Sequence, residues 1–257
     1  MSHYFSKKQD TEFIIKKIEV NVAGLTFELL SSSGVFSKDE LDKGSKILIE
    51  NSIIEDGWEV LDLGCGYGVV GISIKKMYPT TNVLMSDINQ RAVSLSKKNI
   101  RLHQLKDIKA KDSDNFEKID EKFDTILLNP PQTAGKDICF KMIEDSFDHI
   151  KSDGLLQLVA RHNKGGKTLS KKMMGVFGNA KDIVIKSGYR VSFSLVQIGT
   201  FSTAIRYGFS SKPYFFACCL KNSKSGFSRK NCPVKKLPRC FPSIIIGVAL
   251  SIIPCGH

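Results

Sequence analysis

An apolar segment that runs directly into a glycine-rich turn constrains the fold of this chain more than any other feature. Glu59 to Leu63 has the composition of a short buried strand, and Gly64-Cys65-Gly66-Tyr67-Gly68 follows it without a break. Because glycine has no Cβ, Gly64 and Gly66 accept positive φ angles and let the backbone approach a ligand closely. A strand, turn and helix of this kind form the nucleotide-binding junction of doubly wound α/β sheets. We therefore predict a cofactor crevice at this turn.

The glycine spacing alone leaves the type of cofactor open. Gly66-Tyr67-Gly68-Val69-Val70-Gly71 also satisfies the pattern of dinucleotide enzymes, so nicotinamide, flavin and S-adenosylmethionine are equal alternatives. Asp62 favours S-adenosylmethionine over a dinucleotide, because a carboxylate there repels a pyrophosphate but attracts the ammonium and sulfonium charges of S-adenosylmethionine. Asp87 ends the next apolar strand about 20 residues later, the spacing of a carboxylate that binds ribose hydroxyls. Capping of the helix that starts at Asn89 is the alternative role of Asp87, and the two roles are compatible.

A proline corner after a further apolar strand indicates the chemistry. Phe123 to Leu128 leads into Asn129-Pro130-Pro131-Gln132, and the two prolines fix φ and remove two N–H donors. We expect the Asn129 side chain and the Pro130 carbonyl to face outward. Two rigid oxygen acceptors suit one planar NH2 group, because accepting both hydrogens localises the nitrogen lone pair for attack on a sulfonium methyl. A strand-end turn without chemistry also tolerates Asn-Pro-Pro, but the glycine turn and Asp87 precede this one in the right order.

Together these motifs resemble class I S-adenosylmethionine-dependent methyltransferases that modify planar amino nitrogens. More narrowly, the chain from about His3 to about Ser194 is similar to the methyltransferase small domain family, which includes ribosomal RNA guanine-N2 methyltransferases. The resemblance is carried by His3-Tyr4-Phe5-Ser6, Gly34 to Ser45, Ser113-Asp114-Asn115-Phe116 and Asn129 to Lys136. The cofactor residues that it implies are Asp62, Gly64, Gly66 and Gly68 for the methionine part, Asp87 for the ribose, and Asp114 and Asn115 for the adenine.

The resemblance also implies how the target amine is held. Asn129 and Pro130 would accept its hydrogens, and Pro131 would stiffen the corner. Many amino-methyltransferases place an aromatic residue next, to stack on a flipped base, whereas this chain has Gln132. The stacking partner must therefore come from elsewhere or be absent, and Gln132 becomes a candidate substrate contact.

Three other residues are candidates for the substrate pocket and its mouth. Phe36 would form a wall of the pocket, with a hydrophobic staple on the following helix as the alternative. Lys136 and Arg161 follow the proline corner and the fifth strand, where basic side chains can hold RNA phosphates. Ordinary solvated loop charges are the alternative for both.

The alternation of apolar and helical segments predicts an α/β fold. Strands are expected near residues 60–63, 82–86, 107–111, 123–128, 154–160, 181–185 and 189–194, with helices near 68–77, 89–103, 137–150 and 166–177. This order predicts a Rossmann-like, doubly wound, seven-stranded methyltransferase sheet that is parallel and covered on both faces. Asp62, Asp87, Asp114 and Asn129 then lie at strand ends along one edge, where ligands bind.

Two features precede the main sheet. Apolar, β-branched runs on either side of Asn21-Val22-Ala23-Gly24 predict an N-terminal β-hairpin. Ser37-Lys38-Asp39-Glu40 matches a capping box and predicts a helix that begins there and runs to about Asn51.

Composition divides the chain near residue 194. Residues 195–257 contain nine of the 38 Lys and Arg residues, five of the seven Cys residues and no Asp or Glu, although the whole chain has a net charge of +12. We expect an N-terminal hairpin and helix at 1–56, a methyltransferase domain at 57–194, and an irregular, poorly ordered extension at 195–257. A basic RNA-gripping arm is the alternative for the extension, whose apolar run at 241–254 is shorter than the roughly 20 residues of a membrane span.

The sequence therefore predicts a methyltransferase that uses S-adenosylmethionine on an exocyclic amine, with guanine N2 of ribosomal RNA as the expected target. RNA or a ribosomal subunit is the expected partner. A protein glutamine-N5 methyltransferase, a catalytically silent RNA-binding protein and an NAD-dependent oxidoreductase are the alternatives. We expect no metal, because no Cys-x-x-Cys pair or common zinc spacing occurs. Met1 to Lys8 lacks an apolar signal core, which predicts a cytoplasmic protein.

Overall fold

The computed structural model describes residues 12–35 and 40–196, and a seven-stranded sheet forms its centre. A separate antiparallel hairpin precedes the sheet and consists of β1 (Ile15–Val22) and β2 (Leu25–Ser32). The strands of the main sheet are β3 (Glu59–Leu63), β4 (Asn82–Asp87), β5 (Ile108–Asp112), β6 (Phe123–Leu128), β7 (Ile150–Arg161), β8 (Lys181–Lys186) and β9 (Tyr189–Leu195). The helices are α1 (Lys43–Asn51), α2 (Val69–Met77), α3 (Gln90–Leu102), α4 (Lys136–Asp148) and α5 (Lys167–Phe177). The predicted α/β fold class and the N-terminal hairpin are thus confirmed.

The strand order is β5-β4-β3-β6-β7-β9-β8, and the order reverses between β3 and β6. The first five strands in this order pair in parallel, whereas β9 pairs antiparallel with both β7 and β8. The purely parallel sheet expected from the alternation is wrong at this edge. Only Ser187 and Gly188 separate β8 from β9, both with positive φ angles of 51° and 79°. A two-residue connection makes an antiparallel hairpin, because a parallel crossover needs a dozen or more residues.

Buried side chains form one apolar cluster on each face of the sheet. Ile47, Ile72 and Leu95, from α1, α2 and α3, belong to one cluster. Met142 and Met173, from α4 and α5, belong to the other. Adjacent residues of β3 alternate between them, as expected for a strand buried on both faces. This packing fixes the strand ends that carry the polar residues.

Helix α1 begins later than its capping-box pattern predicted. The helix starts at Lys43, and Asp42 is the N-cap, whose carboxylate accepts hydrogen bonds from the backbone N–H groups of Gly44 and Ser45. The predicted start at Ser37 is therefore wrong. The cap is worth about 1 kcal/mol, and it places the Asp42 carboxylate at the sheet edge where the cavity described below opens.

Asn99 of α3 joins the N-terminal hairpin to the glycine turn. Its side chain accepts from the backbone N–H of Leu30 at 2.7 Å and donates to the carbonyls of Leu30 and Tyr67, both at 2.9 Å. Asn99 is completely buried, so these bonds satisfy a polar group that would otherwise be costly. The hairpin and the turn are consequently held by the same side chain.

Several sequence predictions lie outside the described residues, namely Phe36, the His3 to Ser6 motif and almost all of the 195–257 extension. The proposed domain boundaries also stay predictions. Within residues 12–35 and 40–196, no helix is long and apolar enough to cross a membrane. No group of three or more His, Cys, Asp or Glu side chains in that part of the chain is arranged to hold a metal ion.

Candidate active site

A cavity of about 690 Å³ opens along the carboxyl ends of the parallel strands. This is a normal size for a small-molecule site, and the position is the one that open α/β sheets use. The cavity is lined by most of the candidate residues: Asp62, Gly64, Gly66, Asp87, Asp114, Asn115, Asn129, Pro130, Pro131, Gln132 and Arg161. Gly68 and Lys136 are not part of its wall. The structure therefore brings together residues spread over 100 positions of sequence.

The glycine turn has the backbone conformation that its sequence predicted. Gly64, Gly66 and Gly68 have φ angles of 76°, 57° and 92°. The backbone N–H groups of Gly64 and Cys65 donate to the Ser86 carbonyl at 2.8 and 2.9 Å, which ties the turn to β4. Gly68 lies behind the cavity wall, where an added Cβ would come within 2.9 Å of Ser96 Oγ. Gly68 is the N-cap of α2, and its positive φ angle allows the chain to pass from the turn into the helix. This packed position explains why Gly68 does not line the cavity.

Asp62 lies buried at the base of this turn. Its side chain is 3% exposed, and its Oδ2 accepts a hydrogen bond from the backbone N–H of Gly71 at 2.8 Å. Burial raises the pKa of Asp62 to about 7, although the Gly71 bond opposes the shift and the nearby Asp87 charge adds to it. Within residues 12–35 and 40–196, no Lys, Arg or His side chain forms an ion pair or hydrogen bond with Asp62. Its position on the cavity wall makes this carboxylate accessible to a ligand, and a cationic group would favour its charged form.

Asp87 supports the glycine turn from the end of β4. One carboxylate oxygen accepts from the backbone N–H of Gly66 at 2.8 Å, and the other accepts from Asn89 at 2.8 Å. Burial raises the pKa of Asp87, and these two bonds oppose the rise. The predicted alternative role as a helix cap is wrong, because Asn89 is the N-cap of α3. Each oxygen of Asp87 retains a lone pair for a ligand hydroxyl.

Asn115 presents an acceptor that has no hydrogen-bond partner among the described residues. Its backbone has a φ angle of 50°, and its side-chain amide donates to the carboxylate of Asp145. Because Asp145 accepts from the NH2 end, the carbonyl end is fixed in the opposite direction, and this Oδ1 atom is buried. Asp114, next to it on the wall, is exposed. A buried acceptor of this kind calls for a donor from a ligand.

Asn129 is held by two residues that sequence reasoning did not identify as part of the site. Its Nδ2 donates to Asp42 Oδ2 at 2.9 Å and to Ser45 Oγ at 3.0 Å, both on the first turn of α1. An amide nitrogen has only two hydrogens, so both donors of Asn129 are used. The carbonyl oxygen Oδ1 is consequently turned away from α1 and remains an acceptor. The available signal was the family resemblance, since Asp42 and Ser45 stand within the Gly34 to Ser45 motif that carries it.

The two prolines form a tighter corner than expected. Pro131 has φ and ψ angles of −72° and 77°, the conformation of an inverse γ-turn. The backbone N–H of Gln132 donates to the Pro130 carbonyl at 2.8 Å, so this carbonyl is partly engaged rather than wholly free. One of its lone pairs remains. The turn therefore fixes the direction of the Pro130 carbonyl beside Asn129.

Of the remaining substrate candidates, Gln132 and Arg161 line the cavity and Lys136 does not. Gln132 accepts from the backbone N–H of Arg161 at 3.4 Å, a long bond, and its Nε2 is buried without a hydrogen-bond partner among the described residues. Arg161 is exposed at the end of β7 and lines the cavity together with Lys164. Lys136 is exposed on the first turn of α4, outside the cavity wall. The exposed basic residues of the cavity wall are thus Lys141, Arg161 and Lys164, and the exposed Asp114 lies on the same wall.

A family model described as "Methyltransferase small domain" matches residues 26–192. An uncharacterized Bacillus subtilis protein, YbxB, is 34% identical over 194 residues, which cover 74% of this chain and 96% of YbxB. The ribosomal RNA small subunit methyltransferase C of Psychromonas ingrahamii is 36% identical, with 57% of this chain and 43% of that protein covered. The chain therefore spans less than half of that relative.

A solved structure has a similar fold. The 16S rRNA N2 methyltransferase of T. thermophilus, in complex with AdoMet and guanosine, superposes with a TM-score of 0.62. The sequences are 22% identical, and the match covers 70% of this chain and 50% of that one. At this identity the superposition establishes the fold alone.

Proposed function

The chain belongs to the methyltransferase small domain family, and from this premise we propose that it is an S-adenosylmethionine-dependent methyltransferase acting on an exocyclic amino group of RNA. Guanine N2 of ribosomal RNA is the expected target. The family match agrees with the resemblance found from the sequence motifs. The named relatives methylate small-subunit ribosomal RNA, which supports the choice of an RNA substrate.

The wall residues fit S-adenosylmethionine in three places. The buried Asp62 carboxylate suits the ammonium and sulfonium charges, and Asp87 retains acceptors for the ribose hydroxyls. The unpartnered Oδ1 of Asn115 suits the amino group of adenine. Positive φ angles at Gly64 and Gly66 let bare backbone lie against the ligand. When bound, this cofactor supplies an electrophilic methyl group.

The orientation of Asn129 is the observation that carries the proposed reaction. Because Asp42 and Ser45 occupy both hydrogens of its amide, the Asn129 oxygen can only accept. The Pro130 carbonyl supplies a second acceptor on the same rigid turn. In the proposed reaction these two oxygens accept the two hydrogens of one planar amine, which leaves the nitrogen lone pair free to attack the methyl group. Positioning of this kind supplies much of the rate, and no separate general base is required.

Exposed basic side chains on the cavity wall support a polyanionic substrate. Arg161 and Lys164 are exposed on the cavity rim, where contacts with phosphates position RNA without reading its sequence. We expect binding that weakens steeply with salt. A ribosomal substrate also implies a cytoplasmic protein.

Methyl transfer from radiolabelled S-adenosylmethionine tests the proposal. The full chain is incubated with ribosomal subunits at several assembly stages, with free ribosomal RNA and with release-factor-like protein. Label on a guanine N2, mapped by nuclease digestion, is the expected result. Label on glutamine would establish the protein methyltransferase instead. RNA binding without label would establish the catalytically silent alternative, and nicotinamide binding by titration would favour the oxidoreductase.

A further inference from the structure

The cavity contains an aromatic side chain that the proline corner itself lacks. Among the described residues of the wall, Tyr67 and Tyr189 are aromatic. Tyr67 belongs to the glycine turn and is 2% exposed, so its ring cannot present a face to a substrate. Tyr189, the first residue of β9, is half-buried. Tyr189 is therefore the aromatic residue of the described wall that is not fully buried, and its side chain also packs against the apolar cluster that contains Ile47.

The ring of Tyr189 lies against the same helical turn that orients Asn129. A Cβ added to Gly44 would come within 3.1 Å of Tyr189 Cε1 and 3.4 Å of Cδ1. Gly44 follows the cap residue Asp42 by two positions and precedes Ser45, and these two neighbours hold the Asn129 amide. The absence of a side chain at position 44 lets the ring approach this closely. The aromatic group and the amine acceptor are thus placed by one turn of α1.

The backbone that carries Tyr189 is held on both sides. In the sheet, Tyr189 pairs with Arg161 of β7 and with Lys186 of β8. An interior strand cannot shift without breaking two ladders of hydrogen bonds, and the ring is further confined by α1. Holding an aromatic surface in place before binding avoids the cost of ordering it later. Arg161 lines the cavity beside it and can contact a phosphate.

We propose that Tyr189 is the stacking surface for the target nucleobase, in place of the aromatic residue that Gln132 replaces. The inference rests on the proposed function and narrows its substrate to a flipped or single-stranded base. Such bases are recognised by stacking on aromatic side chains combined with hydrogen bonds to their edges. The target of a protein glutamine-N5 methyltransferase is a glutamine side chain, which has no ring to stack on Tyr189. A stacking role for Tyr189 therefore favours an RNA substrate over a protein substrate.

Steady-state kinetics with Tyr189→Phe and Tyr189→Leu test the role in turnover. Loss of one base-stacking contact raises KM for RNA roughly ten-fold or more. We expect this for the Leu variant, with a smaller change in kcat and an unchanged affinity for S-adenosylmethionine, whereas the Phe variant stays near wild type. Phe147→Leu, an exposed aromatic residue of α4 outside the cavity wall, is the matched control. Tyr189→Met replaces the Leu variant if that protein does not fold.

Saturation-transfer NMR with guanosine, in the presence of S-adenosylhomocysteine, separates this inference from the proposed function. Ring contacts that persist in the Phe variant and disappear in the Leu variant support stacking, even if no RNA is methylated and the proposed activity fails. Equal signals from wild type and the Leu variant would overturn the role of Tyr189. So would an unchanged KM in an active enzyme, or no guanosine contact with wild type.

Discussion

The two halves of the cavity are held together in different ways. In the cofactor half, defined by Asp62, the glycine turn and Asp87, carboxylates accept from backbone N–H groups 9 and 21 residues away. In the amine half, defined by Asp42, Ser45 and Asn129, side chains bond to side chains 84 and 87 residues apart. The cofactor half therefore depends on one local βαβ unit, whereas the amine half depends on how α1 docks on the sheet. Cofactor binding and methyl transfer should be separable by substitution.

The sharpest test of this separation is Asn129→Ala. Removing the oriented acceptor should lower methyl transfer on the order of 10³-fold, because both the positioning and the polarisation of the amine are lost. Affinity for S-adenosylmethionine should stay within about two-fold of wild type, since the oriented acceptor belongs to the amine half. Radiolabel transfer gives the first quantity and calorimetric titration the second. Near-normal turnover would remove Asn129 from the mechanism.

The cofactor half was largely predictable from the sequence, because its contacts are local. The residues of an apolar strand, a run of glycines and an acid one strand later are close in sequence and predict one crevice. The positive φ angles of Gly64 and Gly66 follow from the same pattern. Gly68 was placed on the wall because spacing does not distinguish a ligand contact from a packing contact with Met85.

The amine half was only partly predictable, because its contacts are tertiary. Both the Ser37 to Glu40 pattern and Asp42 are plausible helix caps by sequence, so the start of α1 was ambiguous. Nothing in the neighbouring sequence indicates that Asp42 also accepts a hydrogen bond from a residue 87 positions away. The sequence did not identify Tyr189 as a site residue either, since the alternation of side chains along a strand does not indicate which of them faces a ligand. Lys136 was expected at the mouth, but it lies outside the cavity wall, to which α4 contributes Ile138, Lys141 and Met142 instead.

A second test of the comparison is Asp87→Ala, which should damage only the cofactor half. Asp87 supports Gly66 and, in the proposed function, offers acceptors to the ribose, so its loss should weaken cofactor affinity by roughly 10- to 100-fold. At saturating cofactor, kcat should recover most of its wild-type value. Titration and kinetics at several cofactor concentrations measure both. A low kcat that excess cofactor does not restore would show that the halves are coupled.

Asp42→Ser tests whether the helix cap and the amide anchor are distinct functions of one residue. Serine caps helices about as well as aspartate, but its single shorter hydroxyl oxygen replaces both Oδ1, which accepts from Gly44, and Oδ2, which accepts from Ser45 and also from Asn129. We expect kcat to fall roughly ten-fold as the Asn129 amide loses one of its anchors. The melting temperature and cofactor affinity should change little. Asp42→Asn, which keeps an acceptor, should restore part of the activity; equal losses in both variants would argue for a structural role alone.

The smallest expected effect is on the pH dependence of cofactor binding, through Asp62. Its pKa of about 7 means that a proton must leave before a cation binds, so affinity should fall about three-fold between pH 7.5 and 6.5. Calorimetric titration over this range measures it, and Asp62→Asn should show only the residual dependence of the cofactor's own amine.

The same raised pKa makes the stability of the cofactor-free protein fall as pH rises, whereas cofactor affinity rises with pH. The folded state holds a proton that the unfolded state releases near pH 3.8, so the stability contributed by protonated Asp62 is complete below that pH and is lost as pH rises through about 7. Thermal unfolding of wild type without cofactor should therefore show a decline over this window that Asp62→Asn lacks. Saturating cofactor should reduce the decline in wild type. If the two proteins melt with the same pH profile, the cation-receiving role of Asp62 loses its support and the cofactor half must attract its ligand by other means.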